Sequence, residues 1–197
     1  MNSLLSNSRL QQIENILKSN NFSAFALQET KICPNSDESC FSIPGYTAYY
    51  RHRSRRGGGV IVFCRNDLTS RQLHNLENQT PDLEMVCIEI LCQGKRIIFS
   101  SMYRPPSCNK EQFKQNLSVT LEKINNTKPH LNLIGADMNF GGNFDFYGTL
   151  APHLSTLRQQ KSLSKIFCIK FVTYDPLCNN CSRTLCLTFR SFMGQSC

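Results

Sequence analysis

The sequence predicts a single mixed α/β (α+β) domain, and three observations carry that expectation. Its 197 residues suit one compact unit better than two. Short apolar runs of strand length recur along it, several paired across turn signals as hairpins, which speaks against an all-parallel sheet. Two segments with helical apolar spacing, each opened by a capping signal, separate those runs. Hydrophobic residues make up 40% of the chain, with 13 Phe and 6 Tyr, so there is enough apolar surface to bury a sizeable core. No internal repeat and no linker interrupts it, and residues 1–197 read as one domain.

In chain order, Ser8 followed by Gln11 has the form of a capping box, and Leu10, Ile13, Ile16 and Leu17 continue at helical spacing to Asn20 and Asn21. Residues 22–28 form a buried strand that ends in Gln28-Glu29-Thr30, so Glu29 falls where a strand delivers polar groups. Pro44-Gly45 marks a turn; residues 46–50 and 60–64 flank Gly57-Gly58-Gly59 as a first hairpin. Residues 83–91 alternate Val86, Ile88 and Ile90 against Cys87 and Glu89, and the Gln93-Gly94 turn joins them to 96–102 as a second hairpin. Asn109 with Gln112 repeats the capping signal, and Phe113, Leu117, Leu121 and Ile124 mark one helix face ending near Asn126. Residues 131–135 are a buried strand running into Asp137 and Asn139. Further on, 152–166 reads as a helix, and 171–174 and 185–189 as short strands.

The formal charge of +8, from 22 basic and 14 acidic residues, favours a polyanionic partner, because each Lys or Arg that neutralises a phosphate releases a counterion. Nucleic acid is the first expectation. There is no amphipathic basic helix, no apolar run long enough to span a bilayer and no signal-peptide stretch, so a nuclear or cytoplasmic protein without membrane association is expected. The 11 cysteines are scattered, several within apolar runs, and read as reduced thiols. Cys178 and Cys181 have CxxC spacing, but no second pair completes a zinc site. His52, His74, His130 and His153 fall at no general-base or metal spacing.

Two polar clusters follow buried strands: Gln28-Glu29 and residues 135–139 (GADMN). Period-two alternation places Asp137 and Asn139 on one side of an extended segment, where a carboxylate and a carboxamide can orient water or bind a phosphate oxygen. A separate carboxylate such as Glu29 can hold Mg²⁺, which takes oxygen ligands and keeps several waters. Each feature alone is more often a turn or capping residue than a catalyst, and it is their combination that points to a site. Tyr103, just before Arg104-Pro105-Pro106, reads either as a strand-end aromatic or as a site residue. Arg51, Arg53, Arg55 and Arg56 precede the glycine turn, which suits a phosphate-contacting hairpin, since Arg pairs bidentately with phosphate.

Residues 25–31 (FALQETK) closely resemble the metal-binding segment of the endonuclease/exonuclease/phosphatase family. Residues 42–46 (SIPGY), 55–62 (RRGGGVIV), 102–107 (MYRPPS) and 133–139 (LIGADMN) resemble its successive blocks, in order. The RGGGV and YRPP blocks are most similar to the apurinic-endonuclease-like domain of non-long-terminal-repeat retrotransposons. The resemblance implies a deoxyribonuclease-I-like four-layer sandwich, two mixed β-sheets flanked by helices, with the site at one edge. It implies Glu29 on Mg²⁺ (or Mn²⁺), Tyr103 on the scissile phosphate, and Asp137 with Asn139 on the attacking water, nicking one DNA strand. Arg104 joins Arg51, Arg53, Arg55 and Arg56 as a nucleic-acid contact. A monomer is expected, with a reverse transcriptase domain alongside in a full-length relative.

The resemblance also implies losses. The family's first strand, with its Trp-Asn, precedes the loop that Asn2-Ser3-Leu4 resembles, and its Ser-Asp-His block follows the segment like 182–189 (SRTLCLTF). Cys186 stands where the family places an acid, and a thiol supplies no such charge unless ionised. The expectation is a copy incomplete at both ends, with β-pairing left open where the first strand would lie, and with turnover impaired. Two alternatives stand beside it: a non-catalytic nucleic-acid-binding relic, and a phosphatase or phosphodiesterase for small substrates.

Overall fold

In the computed structural model, described over residues 7–54, 57–78 and 80–139 and over two later strands, two β-sheets face each other across an apolar interface. The chain order is α1 (Asn7–Asn20), β1 (Ala24–Gln28), a 3₁₀ turn (Glu38–Phe41), β2 (Tyr46–Arg51), β3 (Val60–Arg65) and β4 (Thr69–Gln72). It continues with β5 (Glu84–Cys92), β6 (Lys95–Tyr103), α2 (Lys110–Asn126), β7 (Leu131–Asp137), β8 (Lys165–Cys168) and β9 (Thr184–Leu187). The first sheet has the order β2-β3-β1-β9 and the second β4-β5-β6-β7-β8. In the second, β4, β5 and β6 pair antiparallel while β6, β7 and β8 run parallel, with α2 as the crossover from β6 to β7.

Each central strand is apolar on both faces, and period-two alternation divides its residues between two cores. Ala24 and Ala26 of β1, Val60 and Val62 of β3, Val86, Ile88 and Ile90 of β5, and Ile97 and Phe99 of β6 fill the space between the sheets. Phe25, Leu27, Ile61 and Phe63 point the other way, where Leu10, Ile13, Ile16 and Leu17 of α1 cover them. Met85, Cys87, Ile98, Met102 and Ile134 lie against Phe113, Leu117, Leu121 and Ile124 of α2. The result is helix, sheet, sheet, helix, the four-layer arrangement expected.

Local chemistry sets the boundaries. The Asn109 side chain accepts from the backbone N–H groups of Glu111 and Gln112, capping α2 where the sequence places the cap. Gln93 and Gly94 both have positive φ, the requirement of a tight hairpin turn whose twist matches β5 and β6. α1 begins at Asn7, one residue ahead of the expected cap at Ser8.

The structure departs from expectation in two places. β4, a polar edge strand, was not anticipated. Lys165 and Ile166, expected to end a helix, belong instead to β8, paired parallel to Leu131 and Asn132; the rest of that segment and 171–174 lie outside the described residues. β1 is paired on both sides, with β3 and with β9. β9 pairs with it antiparallel from Ala24↔Leu187 to Leu27↔Thr184.

The described cysteines, from Cys33 to Cys108, are free thiols, and no described helix is long and apolar enough to cross a membrane. Phe99 is wholly buried at the centre of the interface between the sheets. Phe99→Ala is expected to lower the free energy of unfolding by about 3–5 kcal/mol in urea. Leu91→Ala, on a side chain 46% exposed, should change it by no more than about 0.5 kcal/mol.

Candidate functional site

The last residues of β1, β6 and β7 and the first of β5 meet at one end of the sandwich. The ladder register sets Glu84 opposite Tyr103 and Tyr103 beside Asp137, so a carboxylate flanks the phenol on each neighbouring strand. The third carboxylate comes from the other sheet. Glu29, just past β1, has a φ of 55°, a left-handed conformation that costs a non-glycine residue on the order of 1 kcal/mol. Its Oε1 accepts a 2.5 Å hydrogen bond from the Tyr103 hydroxyl. One residue earlier, Gln28 Nε2 donates to Ser101 Oγ at 2.7 Å. Ser101 and Tyr103 are two apart on β6 and share a face, so adjacent residues of one sheet bond alternate residues of the other.

Burial, the Glu29 hydrogen bond, and the charges of Glu29, Asp137 and Glu84 all push the Tyr103 hydroxyl well above its ordinary value of 10.0. The phenol is therefore neutral throughout the physiological range and acts as a donor.

A glycine hairpin closes the first sheet's side of the site. Thr30 N–H donates to Gly59 O at 3.2 Å and Lys31 N–H to Gly58 O at 3.0 Å. Gly59, at φ 91°, leaves no room for a Cβ, which would lie 2.5 Å from Thr30 Oγ1. Glu84 is 2% exposed; its carboxylate accepts from Gly59 N–H at 2.6 Å and from Arg53 Nη1 at 2.8 Å. Sequence reasoning missed Glu84, although it is in phase with Val86, Ile88 and Ile90, a parity that places it between the sheets.

The structure brings Glu29, Tyr103 and Asp137 together. Asn139 lies beside them but not as expected: its φ is 46°, so the segment is no longer extended there. Its Nδ2 donates to Arg104 O at 2.8 Å and its backbone N–H to Asp137 Oδ1 at 3.3 Å. The carboxamide thus closes the turn after Asp137.

Of the expected basic surface, Arg104 is buried, Arg51 partly buried and Arg53 exposed. Arg104 is 2% exposed, its guanidinium bonded to the carbonyls of Asn139 at 3.3 Å and Cys108 at 2.5 Å and held 5.9 Å from the Phe113 ring centroid. Burial and these acceptors make it a brace between β6, α2 and the Asp137 turn, in place of the surface phosphate contact expected. Arg51 donates to the carbonyls of Asn78 and Thr80. Arg53, with a side chain 43% exposed, is the one nearest solvent. Arg55 and Arg56 lie outside the described residues. Cys186, in β9, is the Cα partner of Phe25, four residues and so about 13 Å along β1 from Glu29.

Whether these residues suit a divalent cation turns on the donors near Glu29. Gln28 Oε1 and Thr30 Oγ1 are buried and have no hydrogen-bond partner. With the Glu29 carboxylate they make an all-oxygen set, which fits a hard cation such as Mg²⁺ or Mn²⁺. Among the described residues no three His, Cys, Asp or Glu side chains gather to hold a metal, so Glu29 would hold the ion with much of its water shell retained.

A family model described as Endonuclease/Exonuclease/phosphatase family matches residues 1–162. The structure is similar to the endonuclease/exonuclease/phosphatase from Bacteroides vulgatus, with TM-score 0.54 and 16% identity over 73% of this chain and 62% of that one. It is similar to the endonuclease domain of TRAS1, a telomere-specific non-LTR retrotransposon, with TM-score 0.52 and 18% identity over 76% and 65%. It also resembles D. rerio TDP2 complexed with single strand DNA product, with TM-score 0.50 and 15% identity over 74% and 57%. The matched part is less than two thirds of each relative's length. Such identities establish the fold, two sheets flanked by helices in the deoxyribonuclease-I-like arrangement. Comparison with curated proteins returned no match.

A raised Tyr103 folds the site into alkaline stability in a defined direction. The fold favours the neutral phenol, so its contribution is complete below pH 10 and is lost as pH rises above that value. Absorbance titration near 295 nm of the wild type against Tyr103→Phe should find no Tyr103 phenolate up to pH 10. Glu29→Gln should bring its ionisation back down towards 10. A Tyr103 phenolate below pH 9 in the wild type would contradict the assignment.

Proposed function

Since the chain belongs to the endonuclease/exonuclease/phosphatase family, we propose that its site hydrolyses phosphodiester bonds of DNA, nicking one strand with the help of a divalent cation. Members of this family are phosphoester hydrolases that generally use divalent metals. The observation that carries the reading is the Tyr103–Glu29 hydrogen bond beside Asp137, which joins a cation ligand, a neutral donor and a base at one end of the sandwich.

The roles follow from the chemistry of each group. Glu29 would hold the cation, Mg²⁺ or Mn²⁺, which would supply positive charge to offset that on the phosphate oxygens. Tyr103, held neutral, donates a hydrogen bond to a non-bridging phosphate oxygen once the substrate displaces or shares its bond to Glu29. Asp137 orients the water and accepts its proton as the water oxygen attacks phosphorus in line; the bond to the leaving 3′-oxygen breaks, and that oxygen takes a proton from solvent. Asn139 and Arg104 fix the turn that aims Asp137. Arg53, half exposed beside the glycine hairpin, is the most exposed of the expected contact arginines that are described, and the overall charge of +8 favours the same partner. Cys186 contributes no carboxylate, and turnover is expected to be slow.

A second reading, DNA binding without turnover, rests on that charge alone, and one assay separates the two. Supercoiled plasmid should be converted to the nicked form with Mg²⁺ or Mn²⁺ and not with EDTA. Glu29→Ala and Asp137→Ala should each slow the conversion at least about a hundredfold. Salt-sensitive plasmid binding with no cation-dependent nicking would favour the binding reading. Nicking indifferent to both substitutions would remove the site assignment.

A further inference from the structure

Gln28, at the site, is almost wholly buried, at 1% exposure. It is in phase with Ala24 and Ala26 and so faces the second sheet, where its Nε2 is committed to Ser101. Its Oε1 has no partner. Thr30, on the other side of Glu29, is 3% exposed and its Oγ1 likewise has none. A buried oxygen left without a donor costs about 1–3 kcal/mol, and here two such atoms belong to the residues immediately before and after Glu29, which leaves β1 in a left-handed conformation.

The two orphans cannot be satisfied by the neighbouring backbone, whose bonding is fixed. Thr30 N–H and Lys31 N–H are taken by Gly59 O and Gly58 O, and Gly59 N–H by Glu84. A donor brought from outside the chain would satisfy both oxygens. Two oxygen acceptors next to a carboxylate match the chemistry of a hydrated divalent cation. Its retained waters are polarised by the ion and are strong donors.

We propose that Gln28 Oε1 and Thr30 Oγ1 accept hydrogen bonds from water carried by the cation at Glu29, making Gln28 and Thr30 positioning residues for the hydrated ion. The inference rests on the assignment of the cation to Glu29 and deepens it. Glu29 supplies the charge, and its two chain neighbours fix the orientation of the water shell. Groups that orient a metal's surroundings in this way commonly change affinity by tenfold to a hundredfold when removed. Gly59 belongs to the same device, because a side chain there would occupy the space of Thr30 Oγ1.

Mn²⁺ alone is the probe, titrated into the full chain at neutral pH without nucleic acid. Free Mn²⁺ is read by electron paramagnetic resonance, and the water shell by the proton relaxation enhancement of the bound ion. Thr30→Val keeps the shape and removes only the hydroxyl; Gln28→Leu removes the carboxamide. Each is expected to weaken Mn²⁺ binding about tenfold and to alter the relaxation enhancement, with metal-free melting of Thr30→Val unchanged or raised. Should Gln28→Leu fail to fold, Thr30→Val decides. If both variants match the wild type in affinity and enhancement while Glu29→Ala abolishes binding, the inference is overturned and the Glu29 assignment stands. If Glu29→Ala binds Mn²⁺ as the wild type does, the assignment fails and the inference with it.

Discussion

The molecule depends on pinning two apolar sheets together at one end with polar bonds. Face-to-face packing of Ala, Val, Ile and Phe gives cohesion but little direction, because dispersion and burial tolerate small slips of one sheet over the other. Gln28–Ser101 and Glu29–Tyr103 remove that freedom. Adjacent residues of β1 must meet residues two apart on β6, and only one relative placement satisfies both. A slip would leave a carboxamide, a hydroxyl and a phenol buried without partners.

The rest of the site follows from that placement. With Tyr103 fixed, the β5–β6–β7 register puts Glu84 and Asp137 on either side of it. Burial, reinforced by three carboxylates around it, keeps the phenol protonated. Glu84 is accommodated by bonds to Gly59 and Arg53, and the glycine hairpin can approach closely because it has no side chains to clash with Thr30, Arg53 or Glu84. Across the site, the Arg104 guanidinium gathers carbonyls from the Asp137 turn and the loop before α2, so the turn that carries the base is braced by a cation hidden from solvent.

Much of this was legible in the sequence, for physical reasons. Buried strands are apolar, so the polar residues at their ends, Glu29 and Asp137, stand out. The Asn109 cap and the Gln93-Gly94 turn have side-chain and backbone requirements that few residues meet. Other features carried no such mark. β4 is polar and at an edge; its side chains alternate in exposure, but TSRQ has no apolar residue to show that period in the sequence. Residues 165–168 are a short apolar run, which periodicity does not distinguish from the end of a helix. Arg104 read as a surface cation because arginine is usually exposed; its burial depends on carbonyls brought from 4 and 35 residues away. Asn139 was expected on an extended segment, and its left-handed backbone gives no signal in composition.

The direct test of the pinning is a double-mutant cycle between Glu29 and Tyr103 on unfolding free energy, in the absence of metal. Glu29→Gln, Tyr103→Phe and the pair together should reveal a coupling of at least about 1 kcal/mol, as expected for a partly buried hydrogen bond to a charged acceptor. If the two losses add to within about 0.5 kcal/mol, the sheets are not locked through this bond and the account of the site fails at its base.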